Sequence, residues 1–367
     1  MIERVAVRNF KAFNDCVAEF TPLTLVLGEN GIGKSTLVQA ILLSKQVISS
    51  SDAVPHKLIL NGPLVHIGNG FDALRQNADE ERIYVDLKIG GAELSWEADY
   101  IAASDILPMR FSHLDAIASL RATKVRYLCA ERVGPQLIAP YSQSEASRSD
   151  VDEKGMNAFG LLHYSSTSAL EASDERVPDG ATSRSVQALF NHYLSEVSTG
   201  ASIAVQDLSE IDSVSATFSF SGQSELPMER IRPTNVGFGL SYASSIIVTC
   251  LIAQPGDLIV IENPEAHLHT KGQRSMADLL LRTARAGVQV ICETHSREML
   301  YCTRKRVLDG DVPSKIASVI YVYGDPAGVR KAGRWFPLTT PLGELGALGT
   351  NFLEYFGAPT DFIQNVL

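Results

Sequence analysis

The sequence predicts an α/β fold: a mixed, mainly parallel sheet with helices on its faces, an antiparallel β layer and a helical insertion. Three observations predict it. The apolar run "LTLVL" (23–27) ends at Gly28 and enters "GENGIGKST", after which Leu37, Ala40, Ile41 and Leu43 recur close to helical spacing. Two further apolar runs of strand length, "DLIVIE" (257–262) and "VQVICETHS" (288–296), alternate with helical segments, as parallel strands with crossover helices do. "RIYVDLKIGGAELSWEADYI" (82–101) alternates polar and apolar residues about Gly90-Gly91, the pattern of a hairpin with one covered face.

In chain order, residues 2–9 and 16–20 read as short strands around "FKAFND", and 23–27 as a buried strand leading into loop and helix. The hairpin at 82–101 comes next, and "KVRYLCAERVGP" (124–135) reads as a strand leaving into a loop. Residues 136–229, rich in Ser, Asp, Glu and Ala, read as a helical insertion, with a helix at 185–198 and a strand at 215–220 on its far side. Regular order resumes with a loop and helix from 235, the strand 257–262, and a helix over 271–287 stopped by Gly287. The strands 288–296 and 318–325 follow. The expected organisation is therefore a split core, 1–135 with 230–367, interrupted by the insertion 136–229.

Composition narrows the class. At 367 residues and 45% hydrophobic content the chain can bury a large core, and no apolar run reaches the ~18 residues of a membrane span. The N-terminus carries charge from residue 3 and lacks a signal-peptide core. Five scattered cysteines without a CxxC pair read as reduced thiols of a cytoplasmic protein. A net charge of −10 gives no general affinity for nucleic acid, though it leaves room for a local basic groove.

The chemistry sits at strand ends. Residues 28–36 fit GxxxxGK[ST], with Asn30, Gly31, Gly33, Lys34, Ser35 and Thr36 as candidate nucleotide ligands. Glycines let backbone N–H groups turn toward phosphates at a helix start, Lys34 reaches the β- and γ-phosphates of ATP, and the Ser35 hydroxyl ligates Mg²⁺. Glu262, ending an apolar strand, is the expected second Mg²⁺ group, acting through water beside that loop. His295 in "ETHS" ends the next strand and is a candidate γ-phosphate sensor; on its own it would read as structural. In "NVGFGLSYASS" (235–245), Ser241 either starts an anion-binding helix end or is an ordinary N-cap.

These segments, in this order, resemble the ATP-binding-cassette (ABC) type ATPases of the SMC, RecF and OLD group, and among them a bacterial family of stand-alone, OLD-like AAA ATPases. The shared stretches are "NFKAF" with the phosphate loop, "YLCAERVGP", "NVGFGLSY", "IENPEAHLHTKGQ" and "ETHS", over about 1–135 and 230–330. The resemblance implies an ABC-type P-loop fold and a head-to-tail homodimer enclosing two ATP molecules. Gly239 and Ser241 would face the partner's γ-phosphate, and His269 would fall where the group carries an interface-crossing residue. "GFGLSYASS" departs from the transporter LSGGQ pattern. The tail "PLTTPLGELGALGTNFLEYFGAPTDF" and Asp325 offer no carboxylate cluster for the group's Toprim nuclease, so none is expected.

Hydrolysis needs an oriented water. At the position after Glu262, where many such enzymes carry a carboxylate, stands Asn263, and Glu265 follows on the same loop. Glu265 acts as the base, or Asn263 only positions water and turnover is slow, or ATP is bound with almost no hydrolysis. A switch that controls a separately encoded, defence-related or nucleic-acid effector is one function. A DNA-repair ATPase using Arg121, Lys124, Arg126, Arg132 or "TRKR" (303–306) is another; of these Arg132 is the candidate site residue. Zinc at His267 and His269 lacks a third ligand, and a GTPase would need an NKxD-like base reader.

Overall fold

In the computed structural model the described residues are 1–50, 53–141, 150–221, 230–324, 328–341 and 344. They form two compact units: Met1–Val125 with the described residues from Val307 on, and Arg126–Arg306. Asp325 and most of the tail scanned for a nuclease site lie outside the described residues.

The first unit opens with antiparallel β1 (Ile2–Phe10) and β2 (Phe13–Glu19). β3 (Leu23–Gly28), buried throughout, leads through the glycine-rich loop into α1 (Lys34–Ser49). β4 (Lys57–Ile59), α2 (Gly70–Ala73), β5 (Arg82–Ile89), β6 (Ala92–Asp99), β7 (Ile106–His113) and α3 (Ile117–Ala122) follow. The expected antiparallel layer is a sheet in the order β2-β1-β5-β6-β7-β4. Its hairpin turns at Gly90 (φ 59°) and Gly91 (φ 83°), the positive angles a two-residue turn requires. One face of β5 is buried (Ile83, Val85, Leu87, Ile89) while Arg82 and Asp86 point away from it. α1 covers the buried face, where the Trp96 indole N–H donates to Ser44 Oγ at 2.8 Å.

The second unit takes up β8 (Val125–Leu128), β9 (Ile138–Pro140), α4 (Ala158–Ser165) and α5 (Val186–Val197). β10 (Ala201–Leu208), β11 (Ser213–Phe220), α6 (Phe238–Ile252), β12 (Leu258–Glu262), α7 (Thr270–Arg285), β13 (Gln289–Glu293) and α8 (Arg297–Leu308) complete it. β13, β12 and β8 are neighbours in one sheet; β12 and β13 are parallel, with Glu262 level with Glu293. Their loops therefore leave from the same carboxyl ends, where α/β folds place chemistry. Gly287 (φ 87°) closes α7 with a left-handed turn, as the sequence predicts. The stretch 136–229 is not purely helical: β9, β11 and β10 form an antiparallel sheet within it. α5 does match its predicted helix, burying Val186, Leu189, Phe190, Tyr193, Leu194 and Val197 on one stripe. The chain then returns to the first unit with β14 (Ala317–Gly324), parallel to β3, and β15 (Arg330–Trp335), antiparallel to β14.

Arg176, 1% exposed, stitches the second unit. Its guanidinium donates to the Cys250 and Ala253 carbonyls at the end of α6, each at 2.7 Å, and pairs with Asp174 at 2.6 Å. Burial raises the Asp174 pKa, but the Arg176 hydrogen bonds and charge outweigh it and leave the carboxyl below its ordinary value. A depressed folded-state pKa stabilises fully above the unfolded value, and that contribution disappears as pH falls through the folded one. Urea unfolding should therefore show stability falling below about pH 4, and less steeply in Asp174→Asn than in wild type.

Among the described residues no helix is long and apolar enough to cross a membrane. All five cysteines are free; burial pushes the Cys16 and Cys302 thiols up to about 12 and Cys250 to about 11, so these three are not ready nucleophiles.

Candidate functional site

On the first unit, the loop between β3 and α1 has the conformation phosphate cradles need. Gly28, Gly31 and Gly33 have φ of 144°, 72° and 117°, values that side-chain-bearing residues adopt only under strain. Space is also restricted: a Cβ on Gly28 would lie 2.3 Å from the Val322 carbonyl oxygen, and one on Gly33 2.6 Å from Ala12 Cβ. Around Gly31 there is open space, and Asn30 is exposed. Lys34, 4% exposed, folds back so that Nζ donates to Gly28 O at 2.9 Å and Glu29 O at 2.7 Å. The ammonium is thus held inside the loop by two carbonyls. Ser35 is half-buried, and the Thr36 N–H donates to Gly33 O at 3.0 Å. Gly33→Ala should lose nucleotide binding as well as stability, which ATP-analogue titration and thermal melting can read together.

On the second unit, β12 delivers Glu262 with both carboxylate oxygens engaged. Tyr127 Oη donates to one at 2.8 Å and the Ala130 N–H to the other at 3.2 Å. Burial beside this carboxylate pushes the Tyr127 phenol well above its ordinary value, so it stays a donor. The two contacts orient an oxygen donor set suited to a hard cation such as Mg²⁺. Asn263 follows with left-handed backbone (φ 45°), its N–H donating to Glu293 O at 2.8 Å and its Oδ1 buried without a hydrogen-bond partner. Pro264 and Glu265 form the turn closed by the Ala266 N–H onto Asn263 O at 3.1 Å.

Glu265 and His295, separated by 30 residues, are brought together. The Glu265 carboxylate accepts from Thr294 Oγ1 at 2.8 Å and from the His295 backbone N–H at 2.7 Å. Ser296 extends the link: its Oγ donates to Gln273 Oε1 at 2.6 Å, and Gln273 Nε2 donates to Leu268 O at 2.9 Å. The loops after β12 and β13 are therefore one hydrogen-bonded unit.

Ser241 is not an N-cap. α6 begins at Phe238, so Ser241 lies in its first turn, 8% exposed, with Oγ lacking a hydrogen-bond partner. Gly237 is the N-cap, and inside the first turn Gly239 leaves room for the 262–268 loop: a Cβ on it would stand 2.5 Å from His267 O. His267, exposed and left-handed (φ 60°), packs its ring near Phe238 at 5.7 Å and Tyr242 at 5.1 Å; His269 is also exposed. Among the described residues no three His, Cys, Asp or Glu side chains converge as a metal-ligand set.

The basic residues read for DNA contact divide. Arg126 is 3% exposed and paired with Asp150 at 2.7 Å and Asp257 at 3.1 Å. Arg304 is buried, with its pKa lowered to about 10 by desolvation, and Arg306 pairs with Asp278 at 2.9 Å. Arg132 is also buried, but beside Glu262 and Asn263. Tyr127, Thr294 and Gln273 were not singled out from sequence, although all three lie in motif stretches. Their roles depend on contacts across 23 to 135 positions, which spacing does not show.

A family model described as "AAA domain, putative AbiEii toxin, Type IV TA system" matches residues 23–300. The Old nuclease of Escherichia phage P2 is 22% identical over 81% of this chain and 56% of its own length. The Septu protein PtuA of Bacillus mycoides (strain KBAB4) is 33% identical over 78 residues, 19% of this chain and 10% of its own length. The chain thus spans little more than half of one relative and a tenth of the other. Two solved SMC heads share the fold. The SmcHead bound to the C-winged helix domain of ScpA is 15% identical with a TM-score of 0.51, covering 91% of this chain and 98% of that one. The Smc head with an extended coiled coil, bound to the C-terminal domain of ScpA derived from Pyrococcus furiosus, is 14% identical with a TM-score of 0.50, covering 91% and 96%.

Proposed function

The chain belongs to the family described as AAA domain, putative AbiEii toxin, Type IV TA system, an AAA ATPase of the SMC and OLD type, and on that premise we propose an ATP-gated switch. It binds ATP with Mg²⁺, hydrolyses it slowly, and closes as a head-to-tail homodimer that controls a separately encoded effector in a bacterial defence system. The observation that carries the proposal is the phosphate loop: three positive-φ glycines and a buried Lys34 ammonium held by loop carbonyls, ready to exchange them for phosphate oxygens. The defence setting is supported by the match to the Septu protein and by the toxin-related family description.

Each residue then has a task. Lys34 takes the β- and γ-phosphates, and backbone N–H groups of Asn30, Gly31 and Gly33 cradle them, with the Thr36 side chain beside them. Ser35 on the first unit and Glu262 on the second are each proposed as a Mg²⁺ group, and the ion would supply charge that offsets that of the phosphate oxygens during transfer. His295 contacts the γ-phosphate, and Gly239 with Ser241 meets the partner's nucleotide.

The attacking water falls to Asn263. Its Oδ1 is buried and unpartnered, whereas the carboxylate of Glu265 is occupied by Thr294 and His295. An amide oxygen orients water but takes up a proton poorly, so turnover is slow. Glu265 braces the His295 loop. Titration with a fluorescent ATP analogue and a phosphate-release assay test this: Mg²⁺-dependent binding and slow release are expected, and a protein that binds no Mg-ATP would refute it.

A further inference from the structure

We infer that Arg132 is a positioning residue that fixes the backbone of Asn263 and ties it to α6, so that the setting of α6 determines where the Asn263 side chain points. The inference rests on the nucleotide reading above and adds a residue and a coupling to it. Arg132 is 3% exposed, and among the described residues no carboxylate lies within salt-bridge distance of it. A guanidinium buried without a counter-charge is costly unless its hydrogens find partners. The two terminal nitrogens find backbone, while Nε is buried without a hydrogen-bond partner: Nη1 donates to Cys129 O at 3.0 Å and Glu262 O at 2.6 Å, and Nη2 to Asn263 O at 2.6 Å. One planar fork thus spans the loop after β8 and the two residues where β12 ends.

Those two carbonyls matter because Asn263 is left-handed, a conformation a side-chain-bearing residue keeps only when its surroundings over-determine it. The Glu293 carbonyl holds its N–H; Arg132 and the Ala266 N–H hold its carbonyl. With both peptide groups pinned, Oδ1 is directed into its buried, unpartnered position.

The other side of the guanidinium faces α6, with its central carbon 5.1 Å from the Tyr242 ring centroid, a cation–π distance. Tyr242 meets the His267 ring edge-on, and Gly239 abuts His267 O. Helix α6 therefore touches the 262–268 loop both through Arg132 and directly. A shift of α6 on closing moves the ring under the fork, and with it the Asn263 carbonyl.

The test compares wild type, Arg132→Lys and Tyr242→Leu in three measurements: ATP-analogue affinity, kcat for phosphate release, and backbone hydrogen–deuterium exchange over 262–268. Lysine keeps the charge but cannot span three carbonyls. Arg132→Lys is expected to bind ATP within about threefold of wild type while kcat falls by about 100-fold, the scale of a small misplacement of a catalytic group, with faster exchange over 262–268. Tyr242→Leu, which leaves the fork intact, should give a smaller fall in kcat in the same direction. Wild-type turnover and exchange in Arg132→Lys would overturn the inference, as would loss of ATP affinity equal to the loss of kcat. Unchanged turnover and exchange in Tyr242→Leu would overturn the coupling to α6, and this variant decides the matter if Arg132→Lys does not fold. Should wild type bind no ATP, the nucleotide reading fails, while the exchange comparison still decides whether Arg132 holds the loop.

Discussion

Replacing Lys34 with alanine is expected to weaken ATP binding by about 100-fold or more while leaving a folded protein. The magnitude follows from the lost contacts. A charge-assisted hydrogen bond contributes about 1.5–3 kcal/mol, and each ~1.4 kcal/mol is a factor of ten in affinity. Folding suffers less, because without the ammonium the Gly28 and Glu29 carbonyls it holds can turn to water. Equilibrium titration with an ATP analogue beside a thermal melt checks both parts. Wild-type affinity in Lys34→Ala would remove the phosphate loop from the account.

The second large effect separates Asn263 from Glu265. Asn263→Ala deletes the unpartnered Oδ1 and is expected to lower kcat by about 100-fold with little change in ATP affinity. Glu265→Gln keeps one oxygen acceptor for Thr294 or His295 but loses the other, so kcat should fall by less than about tenfold. The pH–rate profile carries the sharper distinction. A general base leaves a limb on the acid side of the profile, and replacing that base removes it. The account expects Glu265→Gln to retain the wild-type profile shape. Abolished turnover in Glu265→Gln with Asn263→Ala near normal would make Glu265 the base.

Much of the fold could be read from periodicity and turn chemistry. β3, β12 and β13 are apolar runs bounded by glycine or charge, and the β5–β6 hairpin announces itself through Gly90-Gly91. β7 is hard to read from sequence because Pro108 argues against a strand paired on both sides, although Leu107 and Met109 are buried in alternation with exposed Ile106, Pro108 and Arg110. β9 and β10 were missed because they draw their order from pairing with β11 rather than from their own composition. α8 escaped because "REMLYCTRKRVL" is too polar to show a core-facing stripe.

The candidate site was legible as motifs and much less so as contacts. Phosphate-loop glycines must be glycine, so their pattern survives in one sequence. Of the two readings of Ser241, the N-cap is excluded, because Gly237 holds that position and Ser241 lies in the first turn with Gly239, which packs against His267 O. That Glu265 engages the His295 loop, and that Arg132 holds carbonyls rather than phosphates, depends on partners about 30 and 130 residues away. Side chains that bond to backbone leave no complementary residue type to notice.

Sedimentation velocity of the wild-type protein, with and without Mg-ATP and beside Lys34→Ala, tests the switch most directly. The account predicts that Mg-ATP shifts wild type from monomer toward dimer and leaves Lys34→Ala unshifted. A wild-type protein whose association does not respond to Mg-ATP, or a Lys34→Ala protein that dimerises equally well with it, would contradict the switch.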